Sequence, residues 1–278
     1  MSFKPKSKRD GKKPEVNFSA HTADRHKLYE LSVQNPEADA DFIDSTFKAM
    51  RGRTPVSLRE DFCGTAALCS EWVSRSKTRT AMGLDLDTPT LDWGTKHNVT
   101  PMGDASNRIQ LLQKNVMDPI QVKNDVVVAF NFSYCIFKDR KSLLDYFKQA
   151  RAGLSSDGAF FVDIHGGSES FENLEEIQQF EGYEYVWDQE VYDPINGTAL
   201  RYIHFRFPDG TEMERAFEYD WRIWTLPELT DLLREAGFSG VEVYWEGDDG
   251  DGEGNGIFTK TDSVENELSW VAYVVGWV

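Results

Sequence analysis

Leu58-Arg59-Glu60-Asp61-Phe62-Cys63-Gly64-Thr65-Ala66 is the stretch that decides how this chain is read. It leaves a short apolar run at residues 56–58, passes two acids, turns at Gly64 among small neighbours, and enters a helical segment carrying Leu68, Trp72 and Val73. A turn of small residues lets backbone approach a ligand closely, and an acid at a strand end accepts hydrogen bonds from a cation.

Outward from this turn the chain alternates. Short apolar runs recur at residues 82–86, 109–112, 126–130 and 159–164, separated by longer polar segments that are helical at least in part. Residues 139–153 are the clearest of these, with Leu143, Leu144, Phe147 and Ala150 on one stripe, and residues 36–50 form a helix ahead of the first run. Strand and helix alternating at this spacing predict a parallel sheet covered on both faces. The pattern breaks at residues 183–224, where aromatic and charged residues are punctuated by Pro194-Ile195-Asn196-Gly197 and Pro208-Asp209-Gly210, which predicts three antiparallel strands. A last helix follows, with Thr225 and Glu228 as a capping box, Pro227 in its first turn and Gly237 at its end. Two final strands, 241–245 and 268–275, are joined by a long loop.

Composition narrows the function. The 278 residues are 40% hydrophobic and 13% aromatic, enough for a real core, and 30 Lys+Arg against 47 Asp+Glu give a net charge of −17. Residues 1–13 hold six basic side chains and one acid, so the remainder is five charges more acidic than the whole. Such a body repels phosphate backbones and anionic lipid, which excludes bulk nucleic acid and membrane surfaces as partners. The basic arm reads as a disordered, solvated tail. Three cysteines without paired spacing, no signal-like segment and no long apolar run predict a reduced, cytoplasmic protein. Residues 246–253 cluster acids but lack the glycine and terminal glutamate spacing of a calcium loop, so no metal is expected.

In an open parallel sheet, ligands lie beyond the carboxyl ends of the strands where strand order reverses. The second run ends at Asp85-Leu86-Asp87, Lys114-Asn115-Val116-Met117-Asp118 follows the third, and Asn131 follows the fourth. An acid at the second strand end is placed to grip ribose hydroxyls. The first turn has one glycine where a nicotinamide fingerprint needs three, and there is no Walker A loop.

These residues, in this order and spacing, resemble the class I S-adenosylmethionine-dependent methyltransferases of small-molecule type, over residues 55–165 and 222–278. The resemblance implies an α/β, Rossmann-like, seven-stranded doubly wound sheet with an inserted antiparallel three-stranded cap. It divides the chain into a basic arm (1–17), a cofactor-binding core with N-terminal lid helices (18–182), the cap (183–221), and the last helix and strands (222–278). Glu60 matches the acid linked to the methionine ammonium. Cys63, Gly64 and Thr65 match the turn under the cofactor, Asp85 the ribose acid with Leu86 beside adenine, Asn115 and Val116 the adenine contacts, and Asn131 the frame of the methionine portion. Phe62 and Ala66 stand where the family usually has glycine. Tyr29 is assigned to the cofactor lid, with Arg25 near it.

The implied activity is methyl transfer from S-adenosyl-L-methionine to N or O of a small metabolite. Protein side-chain methylation and a non-catalytic S-adenosylmethionine-binding subunit stand as alternatives. His165, at the end of the fifth strand, is the candidate base or substrate anchor, and Tyr134 and Trp224 are candidate pocket walls. The cap resembles those of glycine and amino-sugar N-methyltransferases, where it covers the active site or forms a homodimer contact.

Overall fold

The centre of the molecule is a parallel sheet of β1 (Ser57–Asp61), β2 (Thr80–Asp85), β3 (Ile109–Gln113), β4 (Asn124–Ala129) and β5 (Leu154–Gly166), extended on one side by antiparallel partners. A computed structural model describes residues 19–248 and 254–278. The basic arm and residues 249–253 of the acidic 246–253 segment lie outside the described residues. Spatially the strands run β3-β2-β1-β4-β5, then β12 (Trp270–Trp277), β10 (Gly240–Asp248) and β11 (Gly254–Lys260). The order reverses between β1 and β4, which places the turn after β1 at the switch point.

Local chemistry sets the helices that cover this sheet. In α2 (Pro36–Arg51), Asn35 accepts from the Ala38 amide at 3.3 Å, Pro36 opens the first turn and left-handed Gly52 ends it. α3 (Ala67–Ser74) follows the β1 turn, and α2 and α3 bury Ile43, Phe47, Leu68 and Trp72 against one face with Leu58. The opposite face packs Leu143 and Phe147 of α5 (Arg140–Ala152) with Leu229, Leu232 and Leu233 of α6 (Leu226–Glu235). The expected capping box is present, with the Thr225 amide donating to Glu228 Oε2 at 2.9 Å.

Two strand counts differ from the sequence reading. The main sheet has eight strands rather than seven, because the long loop before β12 folds back as β11 on β10. β11 is mostly exposed, so its sequence carries little of the apolar alternation that marks a half-buried strand. The cap has four strands rather than three: β6 (Leu174–Phe180), β7 (Tyr183–Asp193), β8 (Thr198–Arg206) and β9 (Glu212–Arg222). β6 is an edge strand whose side chains are at most half-buried, and its Glu and Gln content hides it.

β1 itself is divided by its pleat. Leu58 and Glu60 face α2 and α3, while Arg59 and Asp61 face α5, where both are fully buried and joined by Nε–Oδ1 and Nη2–Oδ2 hydrogen bonds of 2.7 and 3.0 Å. Tyr146 of α5 donates to Asp61 at 2.9 Å, and Arg59 reaches the Val116 carbonyl at 3.4 Å. One ion pair thereby ties β1, α5 and the segment after β3. Removing one partner strands a charge in the interior, so Arg59→Met is expected to destabilise the fold by about 3 to 5 kcal/mol and Tyr146→Phe by about 1 kcal/mol in urea unfolding. The double variant Arg59→Met/Asp61→Leu is expected to recover most of the loss.

Candidate functional site

The turn after β1 is held in an unusual backbone. Phe62, Gly64 and Ala66 all have left-handed φ, of 58°, 51° and 58°. The two positions where glycine is customary therefore keep a glycine-type conformation without glycine. The Cys63 amide donates to the Leu84 carbonyl at 3.0 Å, and the Gly64 amide donates to Asp85 Oδ2 at 2.8 Å. Neighbours approach so closely that a Cβ at Gly83 would lie 2.7 Å from Cys63 Sγ, and one at Gly94, ending α4 (Thr88–Gly94), 2.3 Å from the Thr65 carbonyl oxygen. A glycine inside β2 was the available sequence signal for this close approach.

Glu60 lies on the far side of the turn. Ala66 offers α3 no side-chain cap, and the Glu60 carboxylate takes its place by accepting the Cys69 amide at 3.1 Å. Burial, with Asp39 and Asp85 nearby, pushes the Glu60 carboxyl up to about 8. On β5, Asp163 accepts the Asn131 and Phe132 amides at 2.7 and 2.9 Å, and both of those residues are left-handed. Burial raises Asp163 to about 7. Its carboxyl fixes the loop after β4.

Over this end of the sheet lies α1 (Arg25–Ser32), capped by Asp24, whose Oδ2 also accepts from Trp93 Nε1 at 2.6 Å. Glu30 Oε1 receives Thr65 Oγ1 at 2.9 Å and Asn98 Nδ2 at 2.6 Å, which docks α1 on the turn. Its other side docks on the cap: Tyr29 packs on Phe217 with centroids 4.8 Å apart and lines both cavities with Tyr219. Arg25 lies over the Phe217 ring.

Two adjoining cavities result. The first, of about 260 Å³, is lined by Gly64, Thr65, Asp85, Asn131 and Tyr29, together with Phe62, His26 and Trp221. The second, of about 50 Å³, shares Tyr29, Asn131, Tyr219 and Trp221 with it and extends under the cap to Phe132, Tyr185 and Trp187. A larger groove of about 780 Å³ lies between α2 and the β10–β11 hairpin, but it contains none of the strand-end residues.

Five of the residues expected from sequence thus meet in one cavity. Leu86 is exposed at the β2 end, and exposed Asn115 accepts the Met117 amide at 2.9 Å. Val116 is buried, and the Lys114 amide ties this segment to the Asp85 carbonyl at 3.0 Å. Cys63 and Glu60 are buried behind the turn. His165 lines neither cavity: its Nδ1 is 3.3 Å from Ser170 Oγ and its ring is edge-on to Phe132 at 4.8 Å. Burial and the Arg201 cation push it down to about 3, so the imidazole is neutral. Tyr134 is in the core, and Trp224 donates to the Phe137 carbonyl at 3.2 Å. Sequence reading missed Glu30, Asn98 and the aromatic residues of β9, because each is brought to the site by tertiary packing.

No protein-family model matches the sequence, and no curated protein matches it. Solved structures do. An S-adenosylmethionine-dependent methyltransferase from Clostridium acetobutylicum is 17% identical, with TM-score 0.68, covering 90% of this chain and 96% of that one. An amino pentose methyltransferase from Micromonospora echinaspora, bound to S-adenosylmethionine, is 14% identical, with TM-score 0.63 and coverage of 93% and 98%. A sugar N-methyltransferase from Streptoalloteichus is 15% identical, with TM-score 0.62 and coverage of 100% and 98%. The core and cap therefore have the fold of S-adenosylmethionine-dependent methyltransferases. Among the described residues no helix is long and apolar enough to cross a membrane.

The buried carboxyls make stability depend on pH. Glu60, Asp163 and Asp39, the last raised to about 6 by burial, bind protons at higher pH in the folded chain than in the unfolded one. Their contribution is present in acid and is lost as pH rises through those values. The melting temperature is expected to fall from about pH 4, where these carboxyls ionise in the unfolded chain, to about pH 8, where Glu60 has ionised in the folded one, and Glu60→Gln to flatten the upper part of that fall. Coincident profiles for the two proteins in thermal melts would contradict the assignment.

Proposed function

We propose that this chain is an S-adenosyl-L-methionine-dependent methyltransferase that methylates N or O of a small molecule. The observation that carries the reading is the left-handed turn at residues 62–66, whose Gly64 amide is anchored on Asp85 in a cavity opening into a second chamber. The residues present suit the cofactor. Asp85 has further lone pairs for the ribose hydroxyls. Leu86, Asn115 and Val116 flank the same strand end for adenine, and Gly64 and Thr65 form the floor, with Cys63 buried behind them. Glu60, expected at the methionine ammonium, lines neither cavity; buried behind the turn and bonded to the Cys69 amide, it is read as fixing the turn beneath the cofactor. Tyr29 and Asn131, common to both cavities, frame the methionine end.

The cofactor supplies an electrophilic methyl group on a sulfonium. In-line displacement needs a nucleophile held roughly 3 to 3.5 Å from that carbon, out of water. The shared walls at Tyr29, Tyr219 and Trp221 close the junction from the α1 and cap sides, and Phe132, fixed by Asp163, closes it from the core. His165 stands behind Phe132 and Trp221, and we read it as a support for that wall rather than the base. The confined chamber favours a small acceptor over a protein side chain. The outer face of the cap is ion-paired, as in Arg206 with Glu175 and Glu212 and Arg215 with Glu190, so a homodimer through the cap would use its edges.

Calorimetry tests the reading. Binding of S-adenosylmethionine is expected, weakened at least about tenfold in Asp85→Ala, which removes hydrogen bonds to a charged acceptor. No binding at about millimolar ligand would contradict it.

A further inference from the structure

We propose that the second chamber receives a tertiary amine and that the product is a quaternary ammonium ion; this rests on the methyltransferase reading of the adjoining cavity. The walls carry the argument. Tyr29, Phe132, Tyr185, Trp187, Tyr219 and Trp221 surround the chamber, with ring centroids 4.5 Å apart for Tyr219–Trp221, 5.7 Å for Trp187–Tyr219 and 6.0 Å for Trp187–Trp221. Aromatic faces attract a cation through their quadrupole and ask no hydrogen bond of it, and Trp does so best. Among the described residues lining the chamber, none carries a charge.

The polar groups present are already committed in part. Ser32 Oγ is 2.9 Å from Tyr183 Oη and the Asn131 backbone amide is held by Asp163, while the side-chain amides of Asn131 and Gln178 also line the chamber. A primary or secondary ammonium would bring N–H donors needing acceptors here. The volume of about 50 Å³ takes a head group and leaves a bulkier remainder outside.

Proton balance points the same way. The nitrogen lone pair forms the new N–C bond while the C–S bond breaks, its electron pair returning to sulfur, so the sulfonium becomes a neutral thioether. The positive charge passes to nitrogen. A tertiary amine reacts as its free base, its ammonium proton having gone to solvent, and the quaternary product has no N–H left to satisfy. A primary or secondary amine gives a product that keeps N–H donors, and no carboxylate lines the chamber to receive them. His26 and Asp85 line only the first cavity, and His165 lines neither. The rings face nitrogen as it acquires its charge, which stabilises the transition state more than the neutral amine.

The test compares choline with its neutral carbon isostere, 3,3-dimethylbutan-1-ol, by calorimetry on the full chain saturated with S-adenosylhomocysteine. Choline is expected to bind at least about tenfold more tightly than the alcohol. Trp187→Leu, and independently Tyr185→Leu, are expected to erase that preference while leaving S-adenosylhomocysteine affinity unchanged, since neither residue lines the first cavity. Equal affinity for the two probes, or binding of neither while S-adenosylhomocysteine binds, overturns the amine assignment and leaves the methyltransferase reading standing. Failure of S-adenosylhomocysteine to bind overturns the reading beneath it.

Discussion

The turn between β1 and α3 is the constraint on which the rest of the site depends. Three of its five residues are left-handed, and only one is glycine. A left-handed non-glycine residue costs roughly 1 to 2 kcal/mol, so Phe62 and Ala66 persist because their surroundings hold them. Phe62 packs on Tyr146 and Phe137 with centroids 5.7 and 6.3 Å apart, and Ala66 is fully buried. Gly83 and Gly94 remove the Cβ atoms that would push the turn outward, and Asp85 draws in the Gly64 amide. Strain at one point is thus balanced by packing and hydrogen bonds from three directions.

Carboxyl groups set the remaining geometry. Asp61 with Arg59 anchors the β1 end to α5, Glu60 caps α3, and Asp163 fixes the loop that bears Asn131 and Phe132. These acids bond protein donors. Asp85 serves the protein and faces the cavity at once, so structural and binding demands converge on it. α1 then joins two bodies, through Glu30 to the turn and through Tyr29 to the cap, and its placement makes one enclosed site from an open sheet edge. Displacing α1 would expose both cavities together, since Tyr29 lines each.

The sheet was legible in sequence because apolar runs and helical stripes at regular spacing report burial directly, and the Thr225–Glu228 box reports a helix start. β6 and β11 were not, because edge and surface strands bury too little to leave a pattern. Of the two strand-end acids singled out by position, Asp85 lines the cavity and Glu60 lies behind the turn, whereas Glu30 and the cap aromatics are brought there from distant sequence. Phe62 and Ala66 stand where glycine is customary for close approach of backbone to ligand. Sequence records the absence of glycine, but not that the surrounding contacts hold the same φ without it. His165 sat at a strand end like the other site residues, yet its side chain is turned inward behind Phe132.

The central claim is that the two cavities are a cofactor site and an acceptor chamber meeting at Tyr29, Asn131, Tyr219 and Trp221. A crystal structure with S-adenosylhomocysteine tests it most directly. The ribose is expected on Asp85 and the sulfur at that junction, facing the aromatic chamber. Density for the ligand in the acidic groove between α2 and β11, or at the turn with its sulfur directed away from the chamber, would contradict it.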